Sequence, residues 1–273
     1  MRTGILGETV HMAVDSLKTH KMRSFLTILG IVIGITTVIA MVSVIQGLNR
    51  SFLQELESVG SDLILVSKFE PGSQFQRRSE EERQRKNLTF EDALALKRES
   101  DLIKADAVSL TISLSEAVPV KYQNVRSEEI IIIGMNEQYP QVLSVYLPQK
   151  GRFLTASDLQ HSTKVCVLGR DAAETLFPHS DPLGKQIRLG PELFLVVGVL
   201  QKRGTMFGQS QDNFVGIPIT TLMKYFPYDL EQLQIIVTPK KHGYISETID
   251  DITNVLRQRR KVRFCKANDF GIF

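Results

Sequence analysis

From Phe25 to Gly47 the chain reads FLTILGIVIGITTVIAMVSVIQG without one charged side chain, and no other feature restricts its fold so strongly. At ~1.5 Å per residue, a helix over this run crosses the ~30 Å hydrocarbon layer of a bilayer with slight tilt. Thirteen of its residues are Phe, Leu, Ile or Val. Each contributes roughly −0.3 to −0.6 kcal/mol on the insertion scale, so membrane insertion is favoured even after the Thr and Ser costs. A cleaved signal peptide would carry a shorter apolar region, about 7 to 15 residues, closed by a small-residue cleavage site. Here the run passes directly into a further helical pattern, which predicts a retained anchor over 25–47. Lys18, Lys21 and Arg23 precede it, whereas Arg50 alone follows closely, accompanied by Glu55, Glu57 and Asp62. The positive-inside rule then puts residues 1–24 in the cytoplasm and the remainder of the chain outside.

Both flanks of the span carry helical periodicity. Upstream, Leu6, Val10, Val14 and Leu17 alternate with Glu8, Asp15 and Lys18, which suits an amphipathic helix lying among the inner-leaflet lipids, either as a plain anchor or as a lever on a cytoplasmic partner. Downstream, Leu48, Phe52, Leu56 and Val59 form one apolar face, so the helix is expected to leave the membrane as a stalk over 48–60. That face can pack on its own domain or on a second protomer. Within the span, Gly30 and Gly34 form a G-x-x-x-G, the spacing that lets two membrane helices approach closely.

Beyond the stalk the pattern is α+β. DLILVS at 62–67 reads as a buried strand, RRSEEERQRK at 77–86 as a solvated loop or frayed helix, and Thr89 with Asp92 as the capped start of a short helix. Strands are expected at 107–114 and 129–134, with a helix at 138–144. A second block opens at Gly151. It holds another Thr155/Asp158 cap, a strand at 164–169, a helix at 171–177, strands at 185–189 and 194–199 around the Gly190-Pro191 turn, and a strand at 214–217. The chain closes with a strand at 234–238, a helix at 245–260 and a strand at 262–266. These predict two subdomains, one from 61–135 with 219–273 and a β-rich one, 136–218, inserted in it.

Residues that carry chemistry are sparse. No G-x-x-x-x-G-K-[ST] occurs, since Gly184-Lys185 lacks the upstream glycine and the hydroxyl, so no ATP-hydrolysing cradle and no enzyme activity are expected in this chain. Asp269-Phe270-Gly271 spells a kinase tripeptide without the Gly-rich and H-R-D segments that would give it a magnesium role. The five histidines show no metal-ligand spacing, and no G-x-S-x-G is present. No metal and no cofactor are expected. The net charge of +3 is spread among interspersed acids and bases, which argues against a nucleic-acid partner. Cys166 and Cys265 lie far apart in the sequence and could pair only if the fold brought them together. Gly151-Arg152-Phe153, Gly184-Lys185 and Gly198 read as turns anchored to a sheet rather than as a binding site.

Taken in order, LKTHKMRSFLTILGIVIGITTVIAMVSVIQG, ELESVGSDLILV, GRFLTASD, KVCVLG, LFPHSDPLGKQI, FLVVGVL and VGIP resemble the MacB/FtsX-like ABC transporter permeases over most of the chain. The resemblance implies split β-α-β, porter-like units with an inserted β-rich subdomain on the outer side of a bacterial inner membrane. It further implies a pair of permeases, a cytoplasmic ABC ATPase partner and, in efflux members, a periplasmic adaptor. Such permeases carry three more membrane helices after the outer domain, so the chain is expected to be the N-terminal portion of a longer permease. The family moves substrate by mechanotransmission, in which ATP binding draws membrane helices together and stalks relay the motion outward. The alternative reading is a single-pass sensor or scaffold whose outer domain binds an envelope ligand or protein.

Overall fold

A computed structural model describes residues 21–59, 63–69, 80–143, 146–206, 209–263 and 265–273. The amphipathic segment upstream of Lys21, including Lys18, and most of the charged stretch before Glu80 lie outside the described residues. The chain divides into two compact units, Met1–Ser58 and Val59–Phe273.

The first unit is built on one helix, α1 (Lys21–Val59), 39 residues long. No proline interrupts it, and its apolar run exposes Phe25, Leu26, Ile28, Ile31, Val32, Ile35, Val38 and Ile39 around its whole circumference. That distribution is wrong for an amphipathic surface helix and right for one surrounded by lipid.

The second unit is a mixed sheet with helices packed on it. Its strands are β1 (Ile64–Ser67), β2 (Ala105–Ser113), β3 (Val120–Tyr122), β4 (Val125–Ser127), β5 (Ile131–Met135), β6 (Pro148–Gly151) and β7 (Val165–Leu168). They continue with β8 (Gln186–Leu189), β9 (Glu192–Leu200), β10 (Thr205–Met206), β11 (Gln209–Ser210), β12 (Phe214–Pro218), β13 (Leu233–Pro239) and β14 (Gly271–Ile272). The spatial order is β14-β1-β13-β2-β5-β12-β7-β9-β8-β3-β4, with β6 also on β9 and β10-β11 a separate hairpin. Only β5 with β12 and β7 with β9 run parallel among the described pairs. The near-continuous apolar sequence LQIIVTP of β13 follows from its place between β1 and β2, with both faces covered. The β3-β4 hairpin, from the 61–135 part of the chain, pairs with β8, and β12 bridges β5 and β7, so the sheet runs unbroken through positions 136 and 218.

After α2 (Glu80–Arg83), helix α3 (Phe90–Arg98) starts at the expected cap: Thr89 accepts from the Asp92 amide while the Asp92 carboxylate accepts from the Thr89 amide. The chain then forms α4 (Tyr139–Val142), α5 (Ala156–Gln160), α6 (Arg170–Leu176) and α7 (Ile219–Tyr225), the last absent from the sequence expectations because only seven residues separate Pro218 from Phe226. Helix α8 (Ile245–Arg259) buries Ile252, Val255 and Leu256 along one face, each contributing about 2 kcal/mol of apolar burial.

The expected strand at 262–266 does not form. Arg257 donates to the carbonyls of Arg263 (2.8 Å) and Lys266 (3.0 Å) and to Asn268 (2.6 Å), so a side chain takes the backbone acceptors that a ladder would have used. The closing strand is instead β14, whose Gly271 and Ile272 pair with Ser67 and Val66 of β1. The kinase-like tripeptide is thereby explained: Asp269 accepts from Arg260 at 2.8 Å, Phe270 is buried in the core, and Gly271 enters the strand.

Asp92 does more than cap α3. Arg259 Nε donates to its Oδ1 at 2.9 Å and Arg260 Nη1 to its Oδ2 at 2.7 Å, while Arg260 also reaches the Asn87 and Lys86 carbonyls. Burial of the Arg260 guanidinium works against its charge, and Asp269 and Asp92 more than offset that. Replacing Arg260 with Ala leaves Asp92 and Asp269 short of a partner in a buried setting. The expected loss is about 3 kcal/mol, measured as a lowered urea midpoint with unchanged slope.

Candidate functional site

Two places in the molecule collect the residues that the sequence singled out. The first is α1. Lys21 and Arg23 stand exposed at its start, and the stretch Lys21–Ser43 has a mean hydropathy of 2.6 with none of it buried within the chain. Two of its hydroxyls are satisfied locally, Thr27 donating to the Arg23 carbonyl at 2.9 Å and Thr37 to the Ile33 carbonyl at 2.7 Å. Hydrocarbon demands that arrangement, because it supplies no partner of its own. A Cβ added at Gly30 or Gly34 would meet nothing within 4 Å, so nothing among the described residues requires those two to be small. Leu48, Phe52, Leu56 and Val59 all fall within the same uninterrupted helix, and their side chains lie outside what the structure describes.

The second place is the flank of β9, where the turns far apart in sequence meet. Gly151 pairs with Gly198, the Arg152 amide donates to the Val197 carbonyl at 2.9 Å, and the Gly184 amide donates to the Val196 carbonyl at 2.9 Å. Glycine is required at the crossing. A Cβ on Gly198 would stand 2.2 Å from the Arg152 carbonyl oxygen, and one on Gly151, whose φ is +74°, would stand 2.3 Å from the Val197 oxygen. Lys185 lies over the rings of Phe177 (5.5 Å) and Tyr122 (5.6 Å), and Phe153 packs against the buried Leu154, Val167 and Leu200 cluster.

Arg152 has a partner that the sequence reading did not assign. Its guanidinium holds Asp158 at 2.6 and 3.3 Å, and the same carboxylate accepts from the Thr155 amide (2.9 Å), the Thr155 hydroxyl (2.7 Å) and the Thr163 hydroxyl (3.0 Å). Burial alone would raise the Asp158 pKa, but the hydrogen bonds from Arg152, Thr155 and Thr163 prevail and bring it to about 2. The signal was present in GRFLTASD, where a capping box follows an arginine by three residues. The arrangement fixes a turn and offers no reactive group. Burial pushes the Cys166 thiol far up, out of nucleophilic range, and Cys265 is exposed, so the two remain free thiols. Among the described residues no cluster of His, Cys, Asp and Glu could hold a metal ion.

Two outcomes follow for this knot of turns. Gly198→Ala is expected to destabilise the outer unit by about 3 kcal/mol through its backbone clash. Gly184→Ala, with open space but φ +73°, should cost only about 1 kcal/mol, the comparison being made by thermal unfolding. Asp158 contributes stability that is complete above its unfolded pKa of about 3.9 and is lost as pH falls through about 2. Asp158→Asn should therefore lower stability at pH 7 and flatten its decline between about pH 4 and about pH 2, a difference read by denaturant titration across that window.

The model of the MacB-like periplasmic core domain matches residues 24–255. Over 253 residues, 92% of this chain, the sequence is 31% identical to the macrolide export ATP-binding/permease protein MacB of Neisseria meningitidis and 33% identical to that of Neisseria gonorrhoeae. Each match covers 37% of the relative, so the chain spans little more than a third of the length of these curated proteins. The fold is that of the periplasmic region of MacB from Actinobacillus actinomycetemcomitans, with a TM-score of 0.64 at 21% identity, covering 81% of this chain and 92% of that one. The extracellular domain of YknZ, a noncanonic ABC-type transporter from Gram-positive bacteria, aligns with a TM-score of 0.57 at 19% identity, over 78% of this chain and all of the other.

Proposed function

This chain belongs to the family of MacB-like periplasmic core domains, and from that membership we propose that it is the first membrane span and the outer domain of an ABC-type permease. The observation that carries the reading is the match over 24–255, which takes in the apolar helix and the outer sheet together, on a chain whose helix runs from Lys21 to Val59 without a break. An unbroken hydrogen-bonded helix passes an axial or lateral displacement along its length, where a jointed loop would dissipate it.

In this mechanism ATP is bound and hydrolysed by a cytoplasmic ABC ATPase partner, and the chain itself is no enzyme. Residues 1–24 lie at the cytoplasmic face of a bacterial inner membrane, among its lipids, and residues beyond the stalk lie outside. Gly30 and Gly34, beside which an added Cβ meets nothing among the described residues, form the contact with a second copy or a related permease. Leu48, Phe52, Leu56 and Val59 form the seam of the stalk pair. The outer domain, divided as 61–135 with 219–273 and an inserted 136–218, moves with the stalks and drives efflux or release of substrate, together with a periplasmic adaptor where the envelope has one. The turns at Gly151, Arg152, Phe153, Gly184, Lys185 and Gly198 keep that domain stiff enough to transmit the motion.

Placing lysine at Phe52 and Leu56 puts two charges into the apolar seam. In the complete transporter, the F52K/L56K variant is expected to hydrolyse ATP at close to the parental rate while losing most of its efflux, about tenfold or more, measured on the same proteoliposomes. Unchanged efflux in that variant removes the coupling role of the stalk.

A further inference from the structure

At the junction of α3 with the end of α8 lies a groove of about 380 Å³, walled on one side by Lys86, Asn87, Thr89 and Asp92 and on the other by residues 259–261. Four cations, Lys86, Arg259, Arg260 and Lys261, face one carboxylate, Asp92. That carboxylate is engaged at both oxygens: Arg259 holds Oδ1, and Arg260 and the Thr89 amide hold Oδ2. Arg260 is largely engaged, since Asp269 and two backbone carbonyls take three more of its five donors. The remaining positive charge is not. Arg259 uses only its Nε, and the exposed Lys86 and Lys261 side chains make no hydrogen bond or ion pair among the described residues. The capping box takes the Thr89 and Asp92 amides at the start of α3, and the charge on offer to an anion here is that of the side chains.

We propose that this groove binds a phosphate-type oxyanion, held by the terminal amino groups of Arg259 and the ammonium groups of Lys86 and Lys261. The guanidinium fork suits two oxygens of a tetrahedral anion, and two mobile ammonium groups reach the others. A carboxylate has one charge and two oxygens and leaves most of this cationic set unmatched, whereas a phosphate monoester carries about −1.5 to −2 and three terminal oxygens. The floor is already ordered, because Arg260 and Asp92 are buried beneath it, so the ordering cost of binding falls on the Lys86, Arg259 and Lys261 side chains. The ligand is either the headgroup of a phosphorylated lipid or a free phosphate ester.

The test uses the full chain in a nonionic detergent, labelled at Cys265 with an environment-sensitive fluorophore. Cys265 is exposed close to Lys261 in sequence, and Cys166 is buried. Inorganic phosphate and glycerol 3-phosphate are titrated at about 20 mM salt, with acetate and an acidic peptide as controls, where the Debye length is long enough for the charges to act. The same labelled chain is compared in nanodiscs of phosphatidylcholine with and without phosphatidic acid, whose headgroup is a phosphate monoester. A saturable response to phosphate that Lys86→Gln with Lys261→Asn weakens about tenfold is the expected result. Asparagine tolerates the left-handed backbone at position 261, where φ is +55°, so the double variant keeps its fold. A shift already complete in phosphatidic acid discs assigns the site to a lipid headgroup, and a response to the soluble phosphates alone assigns it to a free phosphate. No saturable response to either source, equal binding of acetate or the acidic peptide, or an undiminished response in the double variant overturns the proposal.

Discussion

Hydrocarbon offers a peptide group nothing to bond with, and α1 is organised by that condition. Every backbone donor and acceptor along Lys21–Ser43 must close on the helix itself, and the two hydroxyls at Thr27 and Thr37 fold back onto carbonyls one turn earlier. With these groups satisfied internally, specificity along the span passes to shape. Gly30 and Gly34 are the positions where the helix is narrowest, and among the described residues a Cβ added there would meet nothing within 4 Å.

The outer unit meets a different difficulty, which is to hold long irregular connections against a sheet whose neighbouring strands are distant in sequence. It does so with buried carboxylates that each gather several donors. Asp92 ties the start of α3 to the end of α8, and Asp158 ties the turn after β6 to α5. Asp212 accepts from the amides of Arg203 and Gly204 at 2.9 and 2.8 Å and so closes the base of the β10-β11 hairpin. In each case a local turn is converted into a tertiary joint, because the donors come from separate segments of chain. Where no carboxylate serves, as at Gly151 and Gly198, two backbones touch directly and side chains are excluded.

Much of this could be read from the sequence because the signals are local. The apolar run specifies the membrane helix by length alone. The Thr89/Asp92 and Thr155/Asp158 pairs specify helix starts through bonds that span three residues, and the ordered motifs from GRFLTASD to VGIP specify the family. What escaped is non-local. Val262 to Lys266 has the alternation of a strand, yet Arg257, several residues earlier, captures its carbonyls, and the strand appears instead in the polar-looking end at Gly271-Ile272, where β1 provides an edge. The short β3-β4 hairpin has too few residues to show a period and exists because β8 is there to receive it. Arg152 was legible as part of a turn, but its partnership with Asp158 required the helix cap and the turn to be seen as one object.

The pairing of β1 with β13 has a consequence for how the protein is made. Ile64 lies opposite Val237, which is 173 positions later (237 − 64). At a synthesis rate of about 5–20 residues per second, the strand nearest the membrane helix waits roughly 10–35 s for the neighbour that covers it. During that interval ILVS is an apolar edge with open backbone groups. Biogenesis of this domain is thus a race between completion of the chain and adhesion of an unfinished sheet, and the late-arriving strand decides which is won.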